Sequence, residues 1–218
     1  MINNNKFLPF KDREGRAKFT ARIFRNQLKN SILDVGCSNK SLKRYIPQNV
    51  EYVGVDISGK PDYKVDLEQE KLEIFDNLNF YTVVCTDVLE HIENIHDIFD
   101  ELCRISQKYV IISLPNNWLN YKFSFISGKG KDKFYGLPVE KPEDRHKWFF
   151  NYDQAYNFIK IRAKLNNFKL VKHFSIPFYQ NTIKMQLFSI FFRFYYNKNL
   201  GYQNLYSHSL WVLLEKVK

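Results

Sequence analysis

Several features that would assign this chain to a familiar class are missing from its sequence. It has three cysteines in 218 residues, Cys37, Cys85 and Cys103, and no pair of them has C-x-x-C spacing. Such a small, odd set favours a reducing compartment and argues against a zinc site built on thiolates. No apolar run approaches the roughly 18 residues of a membrane span, and residues 1–5 are polar where a secretory signal needs a hydrophobic stretch. We therefore predict a cytoplasmic protein.

The glycine pattern G-x-G-x-x-G, in which a strand runs into a phosphate-binding turn, is also missing. Its absence argues against an NAD-dependent dehydrogenase. Residues 31–39 read SILDVGCSN instead: apolar β-formers, then Asp34, Gly36 and a small polar turn. This order predicts a buried parallel strand, a tight turn and the start of a helix, whose free N–H groups can hold a polar ligand.

Apolar segments alternate with amphipathic ones along the chain, which predicts a parallel sheet with helices packed on it. The predicted strands cover residues 31–35, 52–55, 63–65, 81–85, 109–114, 168–174 and 207–217. The predicted helices cover about residues 12–28, 40–45, 95–105 and 153–166. Right-handed crossovers place the carboxyl ends of parallel strands at one edge, so we expect a ligand there.

Acidic residues lie at or just past the ends of four predicted strands: Asp34, Asp56, Asp66 and Asp87. A carboxylate in this position can accept hydrogen bonds from a ribose diol, a ligand amine or an exocyclic amino group. Asp56 lies 20 residues after Gly36, which is the spacing of the ribose-binding acid in dinucleotide folds. Any one of these acids could instead cap a helix or a turn, but four at one edge favour a ligand site.

Four segments together resemble the motif series of class I S-adenosylmethionine-dependent methyltransferases. They are ILDVGC at residues 32–37, YVGVDI at 52–57, TDVLEHI at 86–92 and IISLPN at 111–116. They look most like the small-molecule and glycan-type enzymes related to ubiquinone and surface-polysaccharide biosynthesis. The resemblance implies an α/β, Rossmann-like class I methyltransferase fold, with a seven-stranded, mostly parallel sheet, one antiparallel strand and helices on both faces.

The resemblance also implies S-adenosyl-L-methionine as the cofactor and assigns residues to its parts. The methionine part would be held by Asp34, Gly36, Cys37, Ser38, Thr86 and Asp87. The nucleoside would be held by Asp56 on the ribose hydroxyls, Ile57 against adenine, Asp66 on the adenine amino group and Leu67 beside the ring.

The first motif departs from the family's pattern at two positions. The family usually extends it as G-x-G-x-G, whereas Ser38 and Lys40 replace the second and third glycines here. The turn must therefore accommodate side chains, and we expect Lys40 to point away from the cofactor.

Two histidines are candidates for the general base, the usual role of histidine near neutral pH. His146 is the first, because the matching segment faces the substrate in similar enzymes, and His91 is the second. Either could instead be a hydrogen-bonded structural histidine. The residues expected to contact the substrate are Asn116, Arg145 and Trp148.

Asp87, Glu90, His91 and His146 resemble the metal-ligand set of some O-methyltransferases. Two carboxylates and two imidazoles could hold a divalent ion that lowers the pKa of an acceptor hydroxyl. Because many metal-free relatives share the Glu-His pair, we predict no metal.

We expect a single methyltransferase domain over residues 1–218. Its parts would be an N-terminal helix with its basic face outward (1–29), a cofactor-binding half (30–114), a substrate loop (115–150) and an aromatic helical insertion (178–206). The insertion reads as a helix with a narrow polar face, so it would form a lid, a dimer face or a membrane-surface helix.

The net charge is +10, and residues 151–218 carry most of it, with ten Lys/Arg against two acids. A local basic patch suggests a phosphate-bearing substrate, a nucleic acid or a membrane surface, or only a solvated face. DVLE stands where methyltransferases of nucleic-acid bases carry N/D-P-P-Y/F. We therefore predict methyl transfer to an oxygen or nitrogen of a small-molecule or glycan-type acceptor. The alternatives are an RNA methyltransferase and a non-catalytic cofactor-binding module.

Overall fold

The computed structural model describes residue 10 and residues 12–128, 134–177 and 201–217. Within these ranges the strands are β1 Ser31–Val35, β2 Glu51–Asp56, β3 Tyr63–Lys64, β4 Phe80–Thr86, β5 Ser106–Pro115, β6 Phe168–Pro177 and β7 Ser207–Lys216. They form one sheet in the order β3-β2-β1-β4-β5-β7-β6. β7 is antiparallel to both of its neighbours, and the other described pairs are parallel. The predicted Rossmann-like class I methyltransferase fold is confirmed.

The helices connect the strands and cover both faces of the sheet. The described α-helices are α1 Arg13–Ile23, α2 Ile95–Ile105, α3 Asn117–Ser127, α4 Tyr152–Leu165 and α5 Gly201–Tyr206. Two short 3-10 helices, Ser41–Tyr45 and Leu89–His91, follow β1 and β4. In the described part of the chain, no helix combines the length and the apolar character needed to cross a membrane.

Neighbouring residues of β1 point to opposite faces of the sheet, and each face has its own core. Leu33 packs on the face covered by α2, where Phe99 is fully buried. Ile32 faces the other side, where Phe24, just past α1, stacks on Trp211 of β7 with ring centroids 6.2 Å apart. The sheet is therefore buried on both faces, which explains why its parallel strands are continuously apolar.

The elements differ from the predicted ones mainly at their boundaries. α1 ends at Ile23 rather than near residue 28, because Phe24 leaves the helical conformation and the turn that follows carries Leu28 into the core. Helix α3 occupies the first part of the predicted substrate loop at 115–150. The sequence did not indicate this helix, because its apolar residues follow the helical period only weakly. The predicted aromatic insertion lies outside the described residues, except for residues 201–206, which form α5.

The turn after β1 is held in an unusual backbone conformation. Gly36 has a φ of +79°, and a Cβ added there would lie 2.1 Å from Cγ2 of Val88. Ser38 and Lys40, which replace the family's glycines, are also left-handed, with φ of 49° and 56°. The Lys40 ammonium turns outward to Asp62, with 2.8 Å between Nζ and Oδ1. The turn therefore keeps the glycine-type backbone although it carries side chains.

We predict that Gly36→Ala destabilises the protein by at least about 2 kcal/mol, because it combines a left-handed backbone with overlap against Val88. Gly128→Ala is the matched control: its φ is +63°, but no atom of the described residues lies within 4 Å of the added Cβ. That change should cost only about 1 kcal/mol, the conformational part. Urea unfolding of both variants measures the difference. Equal losses would show that the contact with Val88 does not matter.

Candidate active site

An open pocket lies at the carboxyl ends of β1 and β4, beneath α1, with about 520 Å³ of empty space. Its walls combine the start of α1 with the turn after β1. The lining residues include Arg13, Arg16, Ala17, Thr20, Asp34, Gly36, Cys37, Ser38 and Thr86. The structure therefore brings together five of the residues predicted to hold a cofactor, at the edge of the sheet where a ligand was expected.

Asp34 forms the buried end of this pocket and is 7% exposed. The hydroxyl of Tyr52 on β2 donates a hydrogen bond of 2.6 Å to its Oδ2 atom. Burial raises the pKa of Asp34 to about 7, although the Tyr52 hydrogen bond acts in the opposite direction. A cationic ligand group beside Asp34 would favour its ionised form, so the position suits an ammonium group.

Asp56 ties the end of β2 to the same turn. Its Oδ2 atom accepts from the backbone N–H of Ser38 at 2.8 Å, and its Oδ1 atom accepts from the N–H of Ser58 at 2.8 Å. Oδ1 also accepts from the hydroxyl of Ser58 at 3.3 Å, so a second hydrogen bond remains available at Oδ2. The carboxylate is therefore fixed in direction beside the turn, with acceptor capacity left at Oδ2 for a ligand hydroxyl.

The other predicted nucleoside residues follow the same edge outside the pocket. The backbone N–H of Val65 donates to the carbonyl of Asp56, which brings this segment beside the end of β2. Asp66 accepts from the N–H of Glu68 at 3.0 Å, and Leu67 is partly buried against the core. Ile57 is 54% exposed, so its apolar side chain is free to pack against a flat ring of a ligand.

The N-terminal helix contributes two arginines that the sequence interpretation did not assign to the site. Arg16 forms an ion pair and a hydrogen bond with Asp87, and Arg13 donates to the hydroxyl of Ser38 at 3.0 Å. Asp87 also accepts from the hydroxyl of Ser113 on β5 at 2.5 Å. The prediction that the basic face of this helix points outward is therefore wrong for Arg13 and Arg16, because one helical turn separates them and both reach over the pocket.

The two candidate bases lie together beyond the end of β4. The ring centroids of His91 and His146 are 4.7 Å apart, although 55 residues separate them in the chain. The Nδ1 atom of His146 is 2.6 Å from the hydroxyl of Tyr135, and the Nδ1 atom of His91 is 2.7 Å from Oδ1 of Asp144. Each imidazole is therefore oriented through one ring nitrogen by a partner in the segment after α3.

Glu90 is the third member of this cluster and is 1% exposed. Its carboxylate lies 3.8 Å from the Nε2 atom of His91. Burial, reinforced by the negative charge of Asp87, raises the pKa of Glu90 well above its usual range. One ligand atom from each of Glu90, His91 and His146 lies within 4.8 Å of the others, which is a possible metal-binding arrangement among the described residues.

The three residues predicted to contact substrate have different surroundings. Asn116 is 1% exposed, and its amide nitrogen donates to the carbonyls of Asn204 and Ser207, which anchors α5 to β5. The indole N–H of Trp148 donates to the carbonyl of Ile92 at 2.8 Å. Asn116 and Trp148 thus hold the backbone in place.

Arg145 lies in the segment that carries His146, and its guanidinium donates to the carbonyl of Gly136 at 3.0 Å. This contact is exposed, so the charge of Arg145 remains accessible to an anionic group from solvent.

His208 also lies at this edge and has no counterpart in the sequence interpretation. It is the second residue of β7, and its Nδ1 atom is buried without a hydrogen-bond partner among the described residues. Burial lowers the pKa of His208, while the nearby Asp87 acts in the opposite direction. The sequence could not place His208 here, because its position depends on the antiparallel pairing of β7 with β5.

The sequence matches a family model described as "Methyltransferase domain" over residues 11–172. No sequence among curated proteins matches the chain.

Three solved structures share the fold at low identity. Magnesium protoporphyrin IX methyltransferase from Synechocystis, solved with bound SAH, is 17% identical with a TM-score of 0.54, covering 93% of this chain and 81% of that one. A SAM-dependent methyltransferase from Archaeoglobus fulgidus is 17% identical with a TM-score of 0.58, covering 93% and 94%. The small RNA methyltransferase HEN1 is 17% identical with a TM-score of 0.58, covering 93% of this chain but 25% of that one.

The family match covers the left-handed turn and the strand-end acids described above, together with both candidate histidines. S-adenosylmethionine is the cofactor that this domain uses. The chain therefore belongs to the methyltransferase-domain family and is a class I S-adenosylmethionine-dependent methyltransferase.

Proposed function

We propose that the enzyme transfers the methyl group of S-adenosylmethionine to an oxygen or nitrogen of a small-molecule or glycan-type acceptor. The observation that carries this proposal is the contact between His91 and His146 at the end of β4. The pair follows the pocket closely in sequence, because Asp87, whose partner Arg16 lines the pocket, precedes His91 by four residues. A proton acceptor beside the cofactor suits an acceptor group that must lose a proton.

The methionine part of the cofactor carries an ammonium group and a carboxylate, and the pocket offers a separate partner to each. Asp34 is a buried carboxyl that would be favoured in its ionised form by an ammonium group. Arg13 and Arg16 also line the pocket, and a guanidinium binds a carboxylate through paired hydrogen bonds. In this proposal Arg16 exchanges part of its contact with Asp87 for the cofactor carboxylate.

The nucleoside would extend from this turn along the ends of β2 and β3. Asp56 is fixed by the Ser38 and Ser58 N–H groups and would bind the ribose hydroxyls. Ile57, Asp66 and Leu67 would contact the adenine. These assignments follow the strand order, because Asp56 and Ile57 lie at the end of β2, next to β1, whereas Asp66 and Leu67 follow β3, one strand further from the pocket.

The reaction needs little chemistry from the protein beyond position and proton removal. Methyl transfer from a sulfonium is an in-line displacement whose leaving group is already activated. His146 would accept the proton of the attacking group, and the hydroxyl of Tyr135 at its Nδ1 atom would keep the ring in one orientation. His91, tethered to Asp144, would be the second proton acceptor.

An RNA acceptor is the alternative. Residues 151–218 are strongly basic, and HEN1, a small RNA methyltransferase, shares the fold. One feature favours the small acceptor. Arg16 is paired with Asp87 and its side chain is only 19% exposed, so its charge is not presented to a nucleic acid. A further proposal is that the basic C-terminal third contacts an anionic or membrane surface.

We predict that Asp56→Ala weakens binding of S-adenosylhomocysteine at least tenfold, about 1.4 kcal/mol, because a charge-assisted pair with the ribose is lost. Asp97→Ala is the control, since Asp97 is exposed and pairs with Lys71 on another surface. Titration calorimetry of both variants gives the comparison. Unchanged affinity in Asp56→Ala would remove this residue from the ribose site.

Arg16→Gln should weaken binding of S-adenosylhomocysteine about tenfold, yet leave unchanged the binding of an analogue that lacks the carboxylate. Arg22→Gln, at the exposed last turn of the same helix, should leave both affinities unchanged. Equal losses for both ligands in Arg16→Gln would mean that Arg16 only shapes the pocket through Asp87.

The acceptor class can be tested with a radiolabelled methyl group on S-adenosylmethionine and fractionated cell extract. We expect the label in small-molecule or glycan fractions and its persistence after ribonuclease treatment. His146→Ala should abolish labelling while S-adenosylhomocysteine binding remains, because the residue acts on the acceptor. Label that ribonuclease releases would establish RNA as the acceptor, and labelling retained in His146→Ala would give that histidine a structural role.

A further inference from the structure

We propose that Glu90, His91 and His146 form a binding site for one divalent transition-metal ion, at the acceptor side of the proposed reaction. The inference deepens the proposed function and rests on it for the metal's role, although not for its binding. It also reverses the prediction of no metal, because the structure supplies two observations that the sequence could not.

The first observation is the distance between the ligand atoms. One atom from each of the three residues lies within 4.8 Å of the other two. Two ligands that bind the same ion at about 2.1 Å each can lie no more than about 4.2 Å apart. Closing the difference requires shifts of a few tenths of an ångström per side chain, which small torsional changes provide.

The second observation is the burial of the Glu90 carboxylate and the missing partner of one of its oxygens. It is 1% exposed, and its Oε2 atom has no hydrogen-bond partner within the described ranges of the chain. The Nε2 atom of His91 lies 3.8 Å from its Oε1 atom. Other ionisable groups nearby are the acids Asp87 and Asp144 and Arg16, whose charge is paired with Asp87. A buried, unpartnered carboxylate is costly unless a proton or a cation compensates it. A dication between Glu90 and two imidazoles would satisfy the orphaned oxygen.

The imidazole surroundings match those of metal-bound histidines. Such a histidine usually has its second ring nitrogen on a carboxylate or another oxygen, which fixes its orientation. Asp144 contacts Nδ1 of His91 at 2.7 Å, and that ring turns Nε2 toward Glu90. The Tyr135 hydroxyl lies 2.6 Å from Nδ1 of His146. Asp144 and Tyr135 are therefore positioning residues.

Asp87 is not a ligand in this arrangement, although the sequence pattern included it. Both of its oxygens are engaged, one by Arg16 and the other by the Ser113 hydroxyl at 2.5 Å. The remaining set of two histidines and one carboxylate leaves coordination positions open and favours Mn²⁺, Fe²⁺, Co²⁺ or Zn²⁺ over Mg²⁺ and Ca²⁺. An open position can bind an acceptor hydroxyl and lower its pKa, which makes a hydroxyl the favoured acceptor group. With the ion bound, the free ring nitrogens of His91 and His146 are its ligands, so the proton of the hydroxyl would leave to solvent. In this form of the proposal the two histidines act through the ion and do not themselves accept the proton.

The test uses Co²⁺ as the probe on the full chain, purified with a chelator and then dialysed. We expect one Co²⁺ per chain by titration calorimetry, with visible absorption bands of cobalt bound to nitrogen and oxygen. Glu90→Gln, which keeps the shape of the side chain, should weaken Co²⁺ binding at least tenfold. The matched control is Glu93→Gln, because Glu93 is exposed and three residues away.

His146→Gln is the second variant, so that the test does not depend on the folding of Glu90→Gln. It should lose Co²⁺ binding and the visible bands to the same degree. Absence of Co²⁺ binding in the parent protein overturns the proposal, as does binding that survives both Glu90→Gln and His146→Gln. Each sample is also titrated with S-adenosylhomocysteine. Cofactor binding without Co²⁺ binding defeats the metal site alone, whereas Co²⁺ binding without cofactor binding defeats the proposed function and leaves the metal site standing.

Discussion

The parallel pairing of β1 between β2 and β4 is the constraint on which the site depends. Val35 lies beside Val55 on one side and beside Cys85 on the other, so the three strands end at the same level. Each strand then delivers its next polar residue to one edge, which is why Asp56 can accept from the N–H of Ser38. A shift of register in either pair would separate the acids from the turn and leave their charges without their present partners.

The parts of this site that the sequence could predict are those attached to strand ends. A run of buried β-formers indicates both the strand and the place where it stops, so Asp34 and Asp56 follow from local pattern, whereas Thr86 follows from the resemblance to methyltransferases. The two positions of the first motif at which the family usually has glycine, Ser38 and Lys40, could also be interpreted from the sequence. Ser38 keeps the left-handed backbone, and Lys40 turns away to Asp62, as expected.

The parts that the sequence could not predict come from elements whose placement depends on distant packing. Arg13 and Arg16 belong to a helix whose rotation is set by Phe19 and Phe24 against Trp211, nearly 200 residues along the chain. His208 reaches the edge only through the pairing of β7. Asn116 was predicted at a strand end but serves as an anchor for α5, because that helix packs over it.

The segment after α3 is attached to the residues that follow β4 by contacts that include Lys147 N–H to the carbonyl of Glu90 and the Trp148 indole to the carbonyl of Ile92. It carries His146, whereas His91 is fixed to the end of β4. The two imidazoles of the pair therefore come from two separately anchored segments. Loss of the Lys147 or Trp148 contact would move His146 away from His91 without touching the residues that line the pocket. Methyl-donor binding and proton removal are thus supported by different parts of the chain, and a change in one need not alter the other.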